Sequence, residues 1–119
     1  MTLLRLDTPS AMTPVPVAAS APPGSATRLI GWGQTCPTRG CGAPPVELRQ
    51  LDTTVLADSS CAGIQGAYEL CVNGGGRGAC YGNSGGPSVV GGPGEWRLVG
   101  ATSRGTAGTC ASRPRSTVT

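Results

Sequence analysis

Histidine, phenylalanine and lysine are all missing from this 119-residue sequence, and every one of the 9 basic residues is arginine. Without histidine the chain cannot by itself build an imidazole metal site or run a histidine-dependent catalytic mechanism. Aromatic residues are only 3% of the chain, which excludes a large aromatic-packed core. Charge is also scarce: 13% of residues are ionisable and the net charge is +3, with no basic run dense enough for nucleic acid or a membrane surface. No apolar stretch approaches the roughly 20 residues that a membrane span needs. The first residues, with Leu3, Leu4 and Leu6 around Arg5, lack a basic segment followed by a long apolar one. They do not read as a secretory signal.

What the chain has is glycine, proline and cysteine. Gly is 20 and Pro 11, a level at which low complexity becomes an option. The low net charge argues against disorder. The length allows one domain's worth of core. The 6 Cys fall as Cys36-x4-Cys41, Cys61-x9-Cys71 and Cys80-x29-Cys110. None is a C-x2-C zinc pair, and no histidine could complete a mixed site. No metal or organic cofactor is therefore expected. Three disulfides fit, and they imply an oxidising compartment. Six cysteines allow about 15 pairings, and spacing alone does not choose among them.

Residues 3–6 fit the end of a strand. Residues 8–24, with Pro9, Pro14, Pro16, Pro22 and Pro23, read as an extended linker without ladder hydrogen bonds. From Thr27 onward short strands alternate with turn residues. Segments 28–32, 46–55, 70–72, 88–90 and 96–103 are strand candidates, the last two joined across Gly91-Gly92-Pro93-Gly94. Residues 61–68 could hold a helical turn capped by Asp58 or Ser59. No long 3.6-residue periodicity appears. The expected fold is all-β, a barrel or sandwich with disulfide-stapled loops.

Chemistry concentrates in Ala79-Cys80-Tyr81-Gly82-Asn83-Ser84-Gly85-Gly86-Pro87. A serine among glycines has an uncovered hydroxyl and backbone N–H groups able to point one way. Two such groups beside a serine are what an oxyanion hole needs. The plain alternative is a glycine-rich hairpin that happens to contain a serine. Gly82-x-Ser84-x-Gly86 also matches a nucleophile elbow, but Pro87 and a Val-Val strand follow where a helix should. Gly74-x-Gly76-x-x-Ala79 imitates a dinucleotide fingerprint with no helix after it, and reads as a loop.

GNSGGP, with Cys80 four residues before Ser84, resembles the GDSGGP active-site motif of chymotrypsin/trypsin-like serine proteases. Gly31-Trp32-Gly33 resembles the GWG that opens that family's second barrel. Residues 2–6 resemble the strand following the family's catalytic Asp, and 100–105 resemble the strand that pairs with substrate. The resemblance covers nearly the whole chain. It implies an incomplete C-terminal antiparallel Greek-key barrel of the two-barrel chymotrypsin-like fold. Residues 1–25 would be the end strand of the first barrel and the inter-barrel linker, and 26–119 the second barrel, lacking its last strand and C-terminal helix. It implies Ser84 as nucleophile and the N–H groups of Gly82 and Ser84 as the oxyanion hole. It further implies Gly78, Ala79, Tyr81, Ser103, Arg104 and Gly105 as substrate-binding residues. The disulfides would be Cys61–Cys71, Cys80–Cys110 and, by remainder, Cys36–Cys41. Gly78 stands at the base of the specificity pocket where an acid would select Arg or Lys, so apolar or small side chains are expected there. Arg104 replaces a usual aromatic.

Three departures accompany the resemblance. The catalytic His and Asp of the family would lie before Met1, and a serine without its base is an ordinary alcohol. Asn83 replaces an Asp that in active relatives pairs with a new N-terminal ammonium. The end, Arg115-Ser116-Thr117-Val118-Thr119, departs from the family's last strand and closing helix. The expectation is a frameshift: if a family-like Ser-Val-Tyr-Ser-Asp-Val were encoded TCG GTC TAC AGT GAC GTG A, loss of its first T would give CGG TCT ACA GTG ACG TGA, which reads Arg-Ser-Thr-Val-Thr and a stop. The expectation is a secreted serine endopeptidase acting on proteins or peptides, with neither nucleic acid nor membrane as partner. It appears as a C-terminal portion that needs the first barrel for activity. The alternatives are a non-catalytic pseudoprotease binding module and a decayed fragment.

Overall fold

The computed structural model describes residues 2–74, 79–105 and 115–118, the last of these as backbone. Six strands form: β1 (Ala26–Gly31), β2 (Arg49–Leu56), β3 (Glu69–Val72), β4 (Pro87–Val90), β5 (Arg97–Gly105) and β6 (Arg115–Val118). All pair antiparallel, in the ring order β1-β2-β3-β6-β5-β4. The fold is an all-β barrel. It is thin at two seams, since β1–β4 and β2–β3 register only through Arg28↔Val89, Leu29↔Ser88 and Val55↔Val72, Leu56↔Cys71.

The core is built from small aliphatics, as a chain without phenylalanine requires. Val55 and Val99 pack with Ala21 in one cluster, and Leu29 and Val72 with Ala79 in another. The buried hydroxyls of Thr27 and Ser88 pair with each other. Ser88 is wholly buried and lies 2.8 Å from the Thr27 hydroxyl, which also donates to Val89 O at 3.0 Å.

Four local features differ from the sequence reading. The helical turn forms at Asp58–Ser60 rather than within 61–68, opened by extended Ala57 with no side-chain cap. Cys61 is already extended because it is bonded to Cys71 in β3, and that draws the chain out of the helix. Residues 3–6 form no strand, and Leu3 and Leu4 are about nine-tenths exposed at 92% and 86%. Among the described residues nothing pairs with them. The proline-rich linker does contribute ladder bonds. Leu98 N–H donates to Pro16 O at 2.8 Å and Ala18 N–H to Leu98 O at 2.7 Å, because proline lacks a donor but keeps its carbonyl. Finally, Arg115–Val118, which is not among the strand candidates of the sequence, forms a strand between β3 and β5 and pairs with both.

Candidate active site

Pro87 opens β4, and the chain ahead of it reverses twice. Asn83 N–H donates to Cys80 O at 3.1 Å, and Gly86 N–H donates to Asn83 O at 2.8 Å. Each turn carries a glycine at its third position with positive φ, Gly82 at +92° and Gly85 at +80°. A side chain would strain both. Ser84 is the second residue of the second turn and is exposed. Among the described residues its hydroxyl has no hydrogen-bond partner, and the N–H groups of Gly82 and Ser84 donate to no acceptor. The neighbouring N–H groups of Asn83, Gly85 and Gly86 are all engaged.

This double turn is held from two sides. Toward β5, Gly85 N–H donates to Thr102 O and Thr102 N–H to Gly86 O, both at 2.8 Å. Toward the end of β1, Gly33 N–H donates to Asn83 Oδ1 at 2.8 Å and Gln34 N–H to Tyr81 O at 2.9 Å. The Gln34 side chain then grips a loop closed by the Cys36–Cys41 disulfide. Its Nε2 donates to Thr38 O at 2.9 Å, and its Oε1 accepts the Gly40 N–H at 2.8 Å. That loop places the Arg39 guanidinium 5.7 Å from the centre of the Tyr81 ring.

Ser103, Arg104 and Gly105 are exposed at the end of β5. Beyond Ala101↔Pro87 the β4 side of β5 has no further strand partner among the described residues, whereas its other side is paired with β6. Arg104 is committed laterally. Its Nε and one terminal nitrogen donate to Glu69 Oε1 and Oε2 at 3.1 and 2.7 Å, and the same terminal nitrogen reaches Gly63 O at 2.7 Å. Glu69 Oε2 also accepts the Gln65 N–H at 2.8 Å. The end of β5 is thereby clamped to the loop that Cys61–Cys71 closes. Ala79 is buried against Leu29 and Val72, so its side chain is part of the core. Gly78 and Cys110 lie outside the described residues. Cys80 is disulfide-bonded.

The Arg104 guanidinium, followed by the Gln65 N–H, holds the Glu69 carboxyl below the ordinary carboxylate range. A carboxyl whose pKa is lowered by folding stabilises the fold above its unfolded pKa of about 4.3, and that contribution is lost as pH falls through the folded value. Glu69→Gln should therefore lower Tm at pH 7. The gap to wild type should close as pH drops below about 4. A gap that stays constant in thermal melts from pH 7 to pH 3 would contradict an ionic clamp.

Sequence reasoning missed Gln34, Glu69 and Thr102. Glu69 alone left a signal, as an acidic residue beside the apolar run Leu70-Cys71-Val72.

The whole chain, residues 1–119, matches the family described as Trypsin. It belongs to the trypsin family. Similar proteins include Trypsin alpha-3 of Lucilia cuprina, 34% identical over 84% of this chain and 61% of that protein. Glucanase inhibitor protein 4 of Phytophthora infestans is 36% identical over 78% of this chain and 39% of that one. Among solved structures, a mutant of human heparin binding protein (CAP37) superposes with a TM-score of 0.71. It covers 94% of this chain and 48% of its own, at 23% identity, and so supports the chymotrypsin-like fold. The chain thus spans from about two-fifths to three-fifths of the length of these relatives.

Proposed function

We propose that this chain carries the nucleophile and the substrate-binding edge of a secreted serine endopeptidase, with Ser84 as the attacking group. The supporting observation is the setting of Ser84: an exposed hydroxyl on a double-glycine turn, beside two unengaged N–H groups. Ser84 Oγ attacks the scissile carbonyl. The base takes the hydroxyl proton, and the carbonyl oxygen, becoming an anion, accepts hydrogen bonds from the Gly82 and Ser84 N–H groups. The amine leaves with the proton the base returns, and water activated by the same base releases the acyl group as a carboxylic acid and restores Ser84. The peptide lies along Ser103, Arg104 and Gly105 as an added strand. The base comes from outside these 119 residues, since the sequence holds no histidine. The first barrel of the two-barrel fold is its expected source, together with the orienting Asp.

A polypeptide extended upstream to include that barrel should react with a fluorophosphonate probe at Ser84. Ser84→Ala should abolish the labelling, and the 119-residue chain alone should react slower by a factor of about 10⁶. An extended protein that stays unlabelled while binding peptide would replace this reading with a second one, a binding module without catalysis. Asn83 favours that second reading, as does the similarity to a protein named a glucanase inhibitor.

A further inference from the structure

Arg39 stands at the tip of a turn that is fixed without help from its side chain. Cys41 N–H closes that turn on Thr38 O at 3.1 Å, the Cys36–Cys41 bond ties the loop's ends, and Gln34 grips the backbone at Thr38 and Gly40. Arg39 is exposed, and its guanidinium lies over the Tyr81 ring. Among the described residues that guanidinium donates no hydrogen bond and meets no carboxylate, since Asp52 is taken by Arg28 and Glu69 by Arg104. A guanidinium held over a ring keeps its in-plane N–H donors, and these match the two oxygens of a carboxylate. Stacking also removes part of the side-chain freedom that an exposed ion pair otherwise has to lose.

The place of this cation relative to Ser84 follows from the two supports of the Ser84 loop. On one side the loop is bonded to Thr102 of β5, and on the other to Gly33 and Gln34 at the end of β1. A peptide added along Ser103, Arg104 and Gly105 would reach Ser84 from the β5 side. Its continuation past the reacting carbonyl would leave over Tyr81, beneath Arg39. Tyr81 and Ser84 are three positions apart, so their Cα atoms are separated by at most about 10 Å, the length of about three extended residues. We infer that Arg39 is a specificity-determining residue, selecting peptides that carry a carboxylate within the first three residues beyond the scissile bond. The carboxylate belongs to an Asp or Glu side chain or to the end of the peptide. This inference rests on Ser84 and the β5 edge as the peptide site, and it adds a substrate class, one acidic on the side that leaves first.

Peptide binding to the 119-residue chain reads this preference without catalysis. The probes are acetyl-(Ala)4-Asp-Ala-amide, the same peptide with Asn in place of Asp, and acetyl-(Ala)6 with a free carboxyl end. In NMR titrations the Asp peptide, the free-acid peptide or both should bind about three- to fivefold more tightly than the Asn peptide, the upper range for one exposed ion pair. The Arg39 Nε–H resonance should shift with the same midpoint. In about 1 M sodium chloride, where the screening length is about 3 Å, the preference should shrink toward unity. A preference for the Asp peptide alone assigns a side chain, and for the free acid alone a chain end. Arg39→Gln should bring the three affinities together, and Arg39→Lys should restore part of the preference through charge. Equal wild-type affinities, failure of all three peptides to bind at millimolar concentration, or a preference that survives Arg39→Gln overturns the inference. Should Arg39→Gln fail to fold, the wild-type titrations at low and high salt decide. Labelling of Ser84 is a separate readout. A labelled protein with no acidic preference sinks this inference alone, and an unlabelled one that keeps the preference sinks only the proposed catalysis.

Discussion

Gly86→Ala should destabilise the chain by about 3 kcal/mol, at the upper end of what overpacking costs. A Cβ at Gly86 would fall 2.6 Å from Ile30 O and 2.9 Å from Asn83 O. Both are backbone atoms, so no rotamer change can make room. Ile30 lies in β1 and Asn83 O closes the second turn, so the intruding methyl forces apart the contact that seats the Ser84 loop on the barrel. Gly92→Ala is the matched control. Nothing lies within 4 Å of its added Cβ and its φ is not positive, so its unfolding should shift by no more than about 0.5 kcal/mol. Urea unfolding of the two variants beside wild type reads the difference. Equal midpoints would mean that the loop does not sit against β1 as described.

The second large effect belongs to Cys61–Cys71. Both residues are buried, at 3% and 0% exposure, and their bond closes a loop with a sequence separation of 10. Constraint of the unfolded chain by a loop of that size is worth about 3 kcal/mol. Replacing both with alanine should lower Tm by roughly 10 °C in a chain of this length. The loss should also loosen the Arg104–Glu69 clamp, because Glu69 and Cys71 share β3. Cys36–Cys41 spans a separation of only 5 at a more exposed site, and its removal should cost less. Thermal melts of the two double variants under non-reducing conditions order them. A reversed order would show that the 61–71 loop is held by its other contacts.

Much of this was legible in the chain itself. Short runs of β-formers cut by glycine pairs mark β1, β3, β4 and β5 to within a residue or two. GNSGGP marks the loop to look at. The strand at Arg115–Val118 was not legible, because Arg-Ser-Thr-Val carries no apolar alternation. Its place depends on pairing with Glu69–Val72, more than forty residues upstream. The helical turn was misplaced because Asp58 and Ser59 look like caps, whereas backbone bonds to Ala57 O and Asp58 O close that turn. Local signals likewise could not connect Asn83 to Gly33 or Arg104 to Glu69. Those partners are 50 and 35 residues apart, and only the barrel's closure brings them together.

The loop at residues 36–41 is a self-contained cassette. Its ends are joined by the cystine, its interior is gripped through the Thr38 carbonyl and the Gly40 N–H, and all of that converges on Gln34. The side chains of Pro37, Thr38 and Arg39 take no part in the hydrogen bonds that hold it. Those three positions can be exchanged as a set while the frame stays intact, and what changes is the chemistry presented over Tyr81. The loop is a socket, its frame separate from the side chains it holds out over the Tyr81 ring.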